Sequence, residues 1–260
     1  MVKMLRKTHT ILYLASVLFY FILAFPFLYL YTRNPKKHFK QIVFFRKWIS
    51  LFATTTVGIH FKVQQEVPID WSKPYVICPN HTSILDITAL NYACPQPFSF
   101  MGKIELLKNP VTRIFFKTID IAVNRNSKIS AFKAFKQADT LIKEGKSVVI
   151  FPEGKIDDEY PPSLHKFKSG SFRVALENQV QILPVVIHDA WQILWDDGMK
   201  LGSKPGTIHI SILRPIDTKD IRADEHEILQ QKVYTDMRYH WNSLNLHKNV
   251  KNANKTNSKT

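Results

Sequence analysis

The chain is short of cysteine, glycine and acid, and each shortage removes a class of explanation. Its two cysteines, Cys78 and Cys94, make neither a disulfide scaffold nor a closely spaced zinc pair, and they agree with a reducing compartment. The 8 glycines form no GxGxxG and no Walker-type loop, so nucleotide binding has no support. No HExxH spacing marks a zinc hydrolase; His165, His188 and His209 read as structural or surface residues, and no metal or cofactor is expected. There are only 21 acidic residues against 36 Lys and Arg, a formal net charge of +15 with a sequence pI near 9.7. That imbalance asks for an anionic partner, either nucleic acid or a bilayer with anionic lipids.

An uncharged run decides between those partners in favour of the membrane. Ile11 to Tyr31 is 21 residues long, with Ser16 its only clearly polar member. As a helix it measures roughly 30 Å, enough to cross the hydrocarbon core. It is long for a signal-peptide core and lacks a small-residue cleavage site, so it reads as an anchor, kinked at Pro26. Lys3, Arg6 and Lys7 precede it; Arg33, Lys36, Lys37, Lys40, Arg46 and Lys47 follow. The heavier C-terminal flank places the main domain on the cytoplasmic face of the membrane. A second apolar stretch, Trp48 to Ile59, is too short to span. It either lies in the interface or folds back on the first as a helical hairpin. Residues 1–60 are therefore read as the membrane-anchoring segment.

Beyond Pro74, short β-rich runs alternate with helical patterns. Tyr75–Cys78, Phe98–Met101, Ile119–Val123, Ser147–Phe151, Ile182–Ile187 and Thr207–Leu213 read as strands, several apolar enough to be buried on both faces. Lys128 to Glu144 carries Ile129, Phe132, Phe135, Ala138, Leu141 and Ile142 as a helical stripe stopped by Gly145. The alternation predicts an α/β fold, a mixed and largely parallel sheet flanked by helices, over residues 61–244. Strand-end loops commonly build the site in such folds. A final helix is predicted over Asp224–Ser243. Residues 245–260, rich in lysine and asparagine with scarcely an apolar residue, are predicted to be a disordered basic tail. Trp191 and Trp195 suit either an interfacial aromatic face or the core.

One stretch carries a chemical signature: Asn80-His81-Thr82-Ser83-Ile84-Leu85-Asp86. A histidine and an aspartate five residues apart suit a general base whose second ring nitrogen is held by a carboxylate. Ser83 and Asp86 also fit a capping box, with a helix beginning at Ile84. Within one helix they would point about 140° apart, so His81 reaches Asp86 only if the chain turns between them. The plainer alternative is that Asp86 merely caps a helix and His81 is a loop residue. Asn80-His81-Thr82 also reads formally as a glycosylation sequon, a match taken as accidental inside a cytoplasmic site.

These seven residues resemble the first block, NHxxxxD, of the glycerolipid acyltransferases, the family of lysophosphatidate acyltransferases. Further similar blocks follow in the family's order: Ile121-Ala122-Val123-Asn124-Arg125, Phe151-Pro152-Glu153-Gly154 and Ile182-Leu183-Pro184-Val185-Val186. Lys103-Ile104-Glu105-Leu106 and Phe167-Lys168-Ser169-Gly170 sit where the family carries KxEL-like and FKxG-like stretches. The resemblance runs from about Pro74 to Ile187. It implies acyl transfer from acyl-CoA or acyl carrier protein to the hydroxyl of a lysolipid, with His81 as general base and Asp86 as its orienting carboxylate. The acceptor itself is then the nucleophile. Backbone N–H groups at the start of the Ile84 helix are the expected oxyanion donors.

Substrate-binding residues follow from the same blocks. Arg125 is expected to clamp an anionic headgroup, Lys103 to assist, and Glu153 to reach acceptor hydroxyls or order its neighbours, with Gly154 permitting a tight turn. The family's third block continues past the glycine with a small hydroxyl residue and an arginine implicated in phosphate binding; here Lys155 and Ile156 stand instead. Lys155 or Lys168 supplies charge but not a planar fork. A lysolipid acceptor without phosphate, such as a lyso-aminolipid, therefore stays open, as do thioester hydrolysis and a non-catalytic membrane-surface binding protein.

Overall fold

A computed structural model describes residues 1–156 and 159–257, with the backbone alone at 223 and 244–257. The apolar run lies inside α1 (Val2–Tyr31), which contains Pro26. A turn at Thr32–His38 reverses the chain into α2 (Phe39–Thr56), so the hairpin alternative holds. Small or polar residues let the two helices approach: Ala24 and Ala53 are buried, Ser16 Oγ donates to Ala53 O at 3.0 Å, and Phe27 stacks on Phe45 at 5.4 Å. α1 is the one helix among the described residues long and apolar enough to cross a membrane. It presents Leu18, Phe19, Ile22, Leu23, Phe27 and Leu30 outward.

The remaining elements follow in order: β1 (Ile59–Gln65), β2 (Val76–Pro79), α3 (Leu85–Ala93), β3 (Phe98–Lys103), α4 (Pro110–Phe116), β4 (Ile121–Val123), α5 (Lys128–Lys143), β5 (Ser147–Ile150), α6 (Gly170–Glu177), β6 (Ile182–Ile187), α7 (Ala190–Ile193), β7 (Gly206–Ile212) and α8 (His226–Asn257). Among the described residues the seven strands order as β1-β7-β6-β2-β5-β3-β4. Among these strands of the described residues only the β6–β7 pairing is antiparallel, so β6, β2, β5, β3 and β4 all end along one side. β1 is absent from the sequence reading because half its residues are polar and exposed. Its pairing with β7, in register from Ile59↔Gly206 to Gln65↔Ile212, is a long-range choice that no local pattern announces.

One face of the sheet packs on α5, α6 and α8 around Val76, Val148, Phe172, Val233 and Met237. The other packs on α3, α7 and part of α1 around Ile77, Leu90, Val149, Leu183 and Ile210. A third cluster joins the hairpin to Phe115 and Ile119 beside α4. Within α5 the buried line is Ala134, Ala138 and Ile142, with Phe135 and Leu141 partly covered. Ile129 and Phe132, read as part of the stripe, are 70% and 64% exposed, because 100° per residue carries them to the outer side. Cys78 and Cys94 are free and buried, and burial pushes both thiols up to about 12.

Arg46, counted in sequence as a basic flank, is buried. Its guanidinium donates to Asp120 Oδ1 at 2.6 Å and to Phe98 O at 2.7 Å and lies over the rings of Phe98 and Phe100. Burial raises the Asp120 carboxyl above its ordinary range against the lowering pull of Arg46 and the Phe100 N–H. The pair ties α2 to the sheet rather than counting toward membrane orientation. At the other end of the hairpin, His9 Nδ1 meets Ser203 Oγ at 2.6 Å and Ser203 N donates to Arg6 O at 3.0 Å. Residues 223–225 form a 3-10 turn leading into α8. The tail expected over 245–260 falls where the backbone of α8 is helical to Asn257; its side chains, and residues 258–260 altogether, lie outside the described residues.

Candidate active site

Because β2 and β5 are parallel neighbours, the segments after them emerge side by side: Asn80–Asp86 from β2 and Phe151–Gly154 from β5. Asn80 is fully buried and extends the ladder with its side chain, Nδ2 donating to Ile187 O at 3.0 Å and Oδ1 accepting from Ile187 N at 2.7 Å. A buried, doubly bonded amide is no glycosylation acceptor. Next, the chain turns and α3 begins at Leu85, one residue after the expected start. Ser83 Oγ accepts from Leu85 N at 3.0 Å, and Asp86 Oδ2 accepts from Ser83 N at 2.9 Å, the reciprocal half of a capping box.

The same Asp86 oxygen accepts from Thr82 N at 2.7 Å and lies 3.0 Å from His81 Nδ1. With a carboxylate as acceptor, the proton belongs on Nδ1, which leaves the Nε2 lone pair free. Asp86 has no exposure and the His81 side chain 17%, so a substrate can reach the imidazole but not the aspartate. The ring stacks on Phe151 at 4.0 Å. Of the two readings of the motif, the dyad is the one formed: Asp86 caps and orients at once.

Glu153, 3% exposed, turns inward: Oε1 accepts from His81 N at 2.7 Å and Oε2 from His165 N at 2.8 Å. Of the two roles expected of it, these contacts are those of a group that orders its neighbours, here the backbone that carries the imidazole. The N–H groups at the start of α3 are also consumed. Thr82 and Ser83 serve Asp86, Ile84 donates to Asp196 O, Leu85 to Ser83 Oγ, and Asp86 to Ser83 O. They are not free to hold an oxyanion. The strap at Asp196, a left-handed residue at φ 56°, also donates from its N to Thr82 O. No sequence signal pointed to it, because it joins the loop from more than a hundred positions away.

The cationic candidates follow the ends of neighbouring strands. Lys103 closes β3 opposite Val123, and Arg125 follows two residues after Val123; both are exposed. Gly154 has φ +73°, and the Lys168 side chain lies over it, its Nζ 2.9 Å from where a Cβ would stand. Lys168 N also donates to Pro152 O at 2.8 Å. Lys155 is exposed beside it. At roughly 4.8 Å between strands, β4 lies about 14 Å from β2, so Arg125 and Lys103 approach a ligand at His81 only through their long side chains.

The other histidines have structural places. His188 is buried with Nε2 2.8 Å from Ser211 Oγ, and His209 Nδ1 lies 2.8 Å from Asp189 Oδ2. Trp195 is buried and Trp191 partly so, which favours the core over an interfacial face. Among the described residues no group of three or more His, Cys, Asp or Glu is placed to hold a metal ion.

Comparison with known proteins agrees with this arrangement. The family model described as Acyltransferase matches residues 59–188, half of the chain. An uncharacterized acyltransferase of Schizosaccharomyces pombe is 29% identical over 71% of this chain and 66% of that protein. Human 1-acyl-sn-glycerol-3-phosphate acyltransferase beta is 29% identical over 70% of this chain and 64% of its own length. The chain thus spans just under two thirds of these curated relatives. The crystal structure of the 1-acyl-sn-glycerophosphate acyltransferase PlsC from Thermotoga maritima has a TM-score of 0.76 over 94% of this chain and 98% of that one. At 20% identity that likeness is one of fold.

Proposed function

The chain belongs to the acyltransferase family, and from that premise we propose that it moves a fatty acyl group from a thioester to the free hydroxyl of a lysolipid, lysophosphatidate first among acceptors. The observation that carries the proposal is the buried Asp86 at 3.0 Å from His81 Nδ1. The acceptor hydroxyl gives its proton to His81 Nε2 as its oxygen attacks the thioester carbonyl. The tetrahedral intermediate then expels the thiolate, which takes the proton back from the imidazolium. Asp86 holds the ring in this tautomer and stabilises the cation. The donor is acyl-CoA or acyl carrier protein, with the acyl chain as cargo and no resident cofactor.

Lysophosphatidate is favoured because relatives with that printed activity match this chain and because Lys103, Arg125, Lys155 and Lys168 ring the same strand ends. A dianion drawn from water needs several charge-assisted partners. Lys155-Ile156 in place of a hydroxyl residue and an arginine favours a second reading, a lysolipid without phosphate. The test is product analysis of purified protein offered both acceptors and both donor types. His81→Ala should lower turnover about 10²- to 10⁴-fold; retained transfer in a folded variant would refute the mechanism.

The hairpin packs along the globular domain at both ends, through Ser203 and through Asp120. A helix fastened in this way along a domain supports immersion in one leaflet rather than a crossing. We place that leaflet on the cytoplasmic side, with Lys36, Lys37 and Lys40 in the connecting turn and first helical residues facing anionic headgroups.

A further inference from the structure

A groove on the flank of the hairpin has no part in the chemistry above. It is a cavity of about 780 Å³ between α2 and the Cys94–Phe98 loop that follows α3. That loop leads into the start of β3, whereas His81 follows the end of the parallel β2, so the groove and the imidazole lie at opposite ends of the sheet.

Its lining is amphiphilic. Phe44 and Phe52 are 58% and 48% exposed and flank Trp48, which packs on Tyr20 at 5.5 Å. This makes the groove continuous with the outward apolar surface of α1. Lys47 is half-buried at the wall; its ammonium reaches Cys94 O at 3.4 Å and has no carboxylate partner among the described residues. Asn91, 1% exposed, donates from Nδ2 to Ser50 Oγ, while its Oδ1 has no partner among the described residues. Lys40 also lines the groove and is exposed. No Asp or Glu precedes Glu66 in the sequence, so nothing in the hairpin neutralises these cations.

An ammonium with no carboxylate to meet it among the described residues, beside an aromatic trough that adjoins α1, matches a molecule with an apolar tail and net negative head. We propose that the groove seats an anionic phospholipid of the bilayer, one acyl chain along Phe44, Trp48 and Phe52 and its phosphodiester on Lys47 and Lys40. A zwitterionic lipid brings its own ammonium and competes with these lysines. The lipid is a resident of the anchor, not the acyl acceptor. The proposal rests on the one-leaflet reading of the hairpin.

The test uses the full chain in phosphatidylcholine vesicles carrying a small fraction of acyl-brominated phosphatidylglycerol or acyl-brominated phosphatidylcholine. The Trp48 signal is taken as the difference between wild type and Trp48→Phe. Salt is raised to screen diffuse attraction. Brominated phosphatidylglycerol should half-quench Trp48 at a mole fraction about tenfold lower than brominated phosphatidylcholine, the size of one hydrogen bond to a charged group. Lys40→Gln/Lys47→Gln should abolish that preference while vesicle partition and turnover persist. Lys40→Gln alone, at an exposed position, should weaken it severalfold and serves if the double variant unfolds. Equal quenching by the two lipids, or a preference that survives loss of the lysines, overturns the proposal. Failure of the wild type to enter vesicles of phosphatidylcholine alone instead overturns the hairpin reading, and the lipid site with it.

Discussion

Glu153→Gln separates the structural role of this carboxylate from the one its motif suggests. The glutamate accepts two backbone N–H groups, from His81 and His165, at 2.7 and 2.8 Å in a site 3% exposed. Glutamine keeps one acceptor oxygen and turns an NH₂ toward the other N–H, so one bond is lost and a buried donor is orphaned. A hydrogen bond to a charged group contributes about 1.5–3 kcal/mol, and an unsatisfied buried group costs a similar amount. A destabilisation of about 2–3 kcal/mol is therefore expected, which for a domain of this size lowers Tm by roughly 5–10 °C. Because the lost bond restrains the His81 backbone, kcat should fall by about tenfold to a hundredfold through misplacement of the imidazole, while acceptor KM stays near its wild-type value. Thermal melts, and kinetics with acceptor varied at saturating acyl donor, measure both. A raised acceptor KM with kcat and Tm unchanged would refute this reasoning and return Glu153 to the substrate.

The remaining expectations concern the dyad, the buried ion pair, the headgroup and the anchor. Asp86→Asn should lower kcat strongly, since an amide in place of the carboxylate no longer favours the Nδ1–H tautomer or stabilises the imidazolium; circular dichroism must show helix content retained, and a fully active variant would remove Asp86 from the mechanism. Arg46→Met should cost about 3–5 kcal/mol by stranding Asp120, whereas Arg46→Met/Asp120→Leu should recover much of that loss apart from the orphaned Phe100 N–H; denaturant melts in detergent compare them, and equal loss in both would show that the pair is not what fastens α2. Arg125→Ala should lower kcat/KM for a lysophospholipid with an exposed phosphomonoester more than for a lysolipid lacking phosphate, and equal penalties would exclude Arg125 as a phosphate clamp. Removing residues 1–33 should weaken retention in the membrane fraction while high salt leaves the intact chain bound, because apolar burial is insensitive to screening; release by salt alone would assign the anchoring to the basic surface.

Much of this protein follows from local sequence. Apolar runs of four to six residues between helical patterns made β2, β5 and β6 legible, since a strand buried on both faces must be apolar throughout. Ile11–Tyr31 declared a long apolar helix by composition, and the pairing of His81 with Asp86 was legible because a five-residue separation across a turn is itself local. Other features depended on contacts between distant segments. β1 is half-polar and becomes a strand only against β7. Arg46 looks like any flanking cation until Asp120 and Phe98 O surround it. Glu153 has the same sequence whether its carboxylate faces a lipid or two backbone N–H groups. Hydrogen-bond satisfaction drew it inward, since His81 N and His165 N are partly buried donors that need an acceptor. The oxyanion donors expected at α3 were taken for the same reason, by Asp86, Ser83 and Asp196. Composition and periodicity register what a residue can do; which of its possible partners it meets is set by long-range packing, and that only the tertiary structure decided.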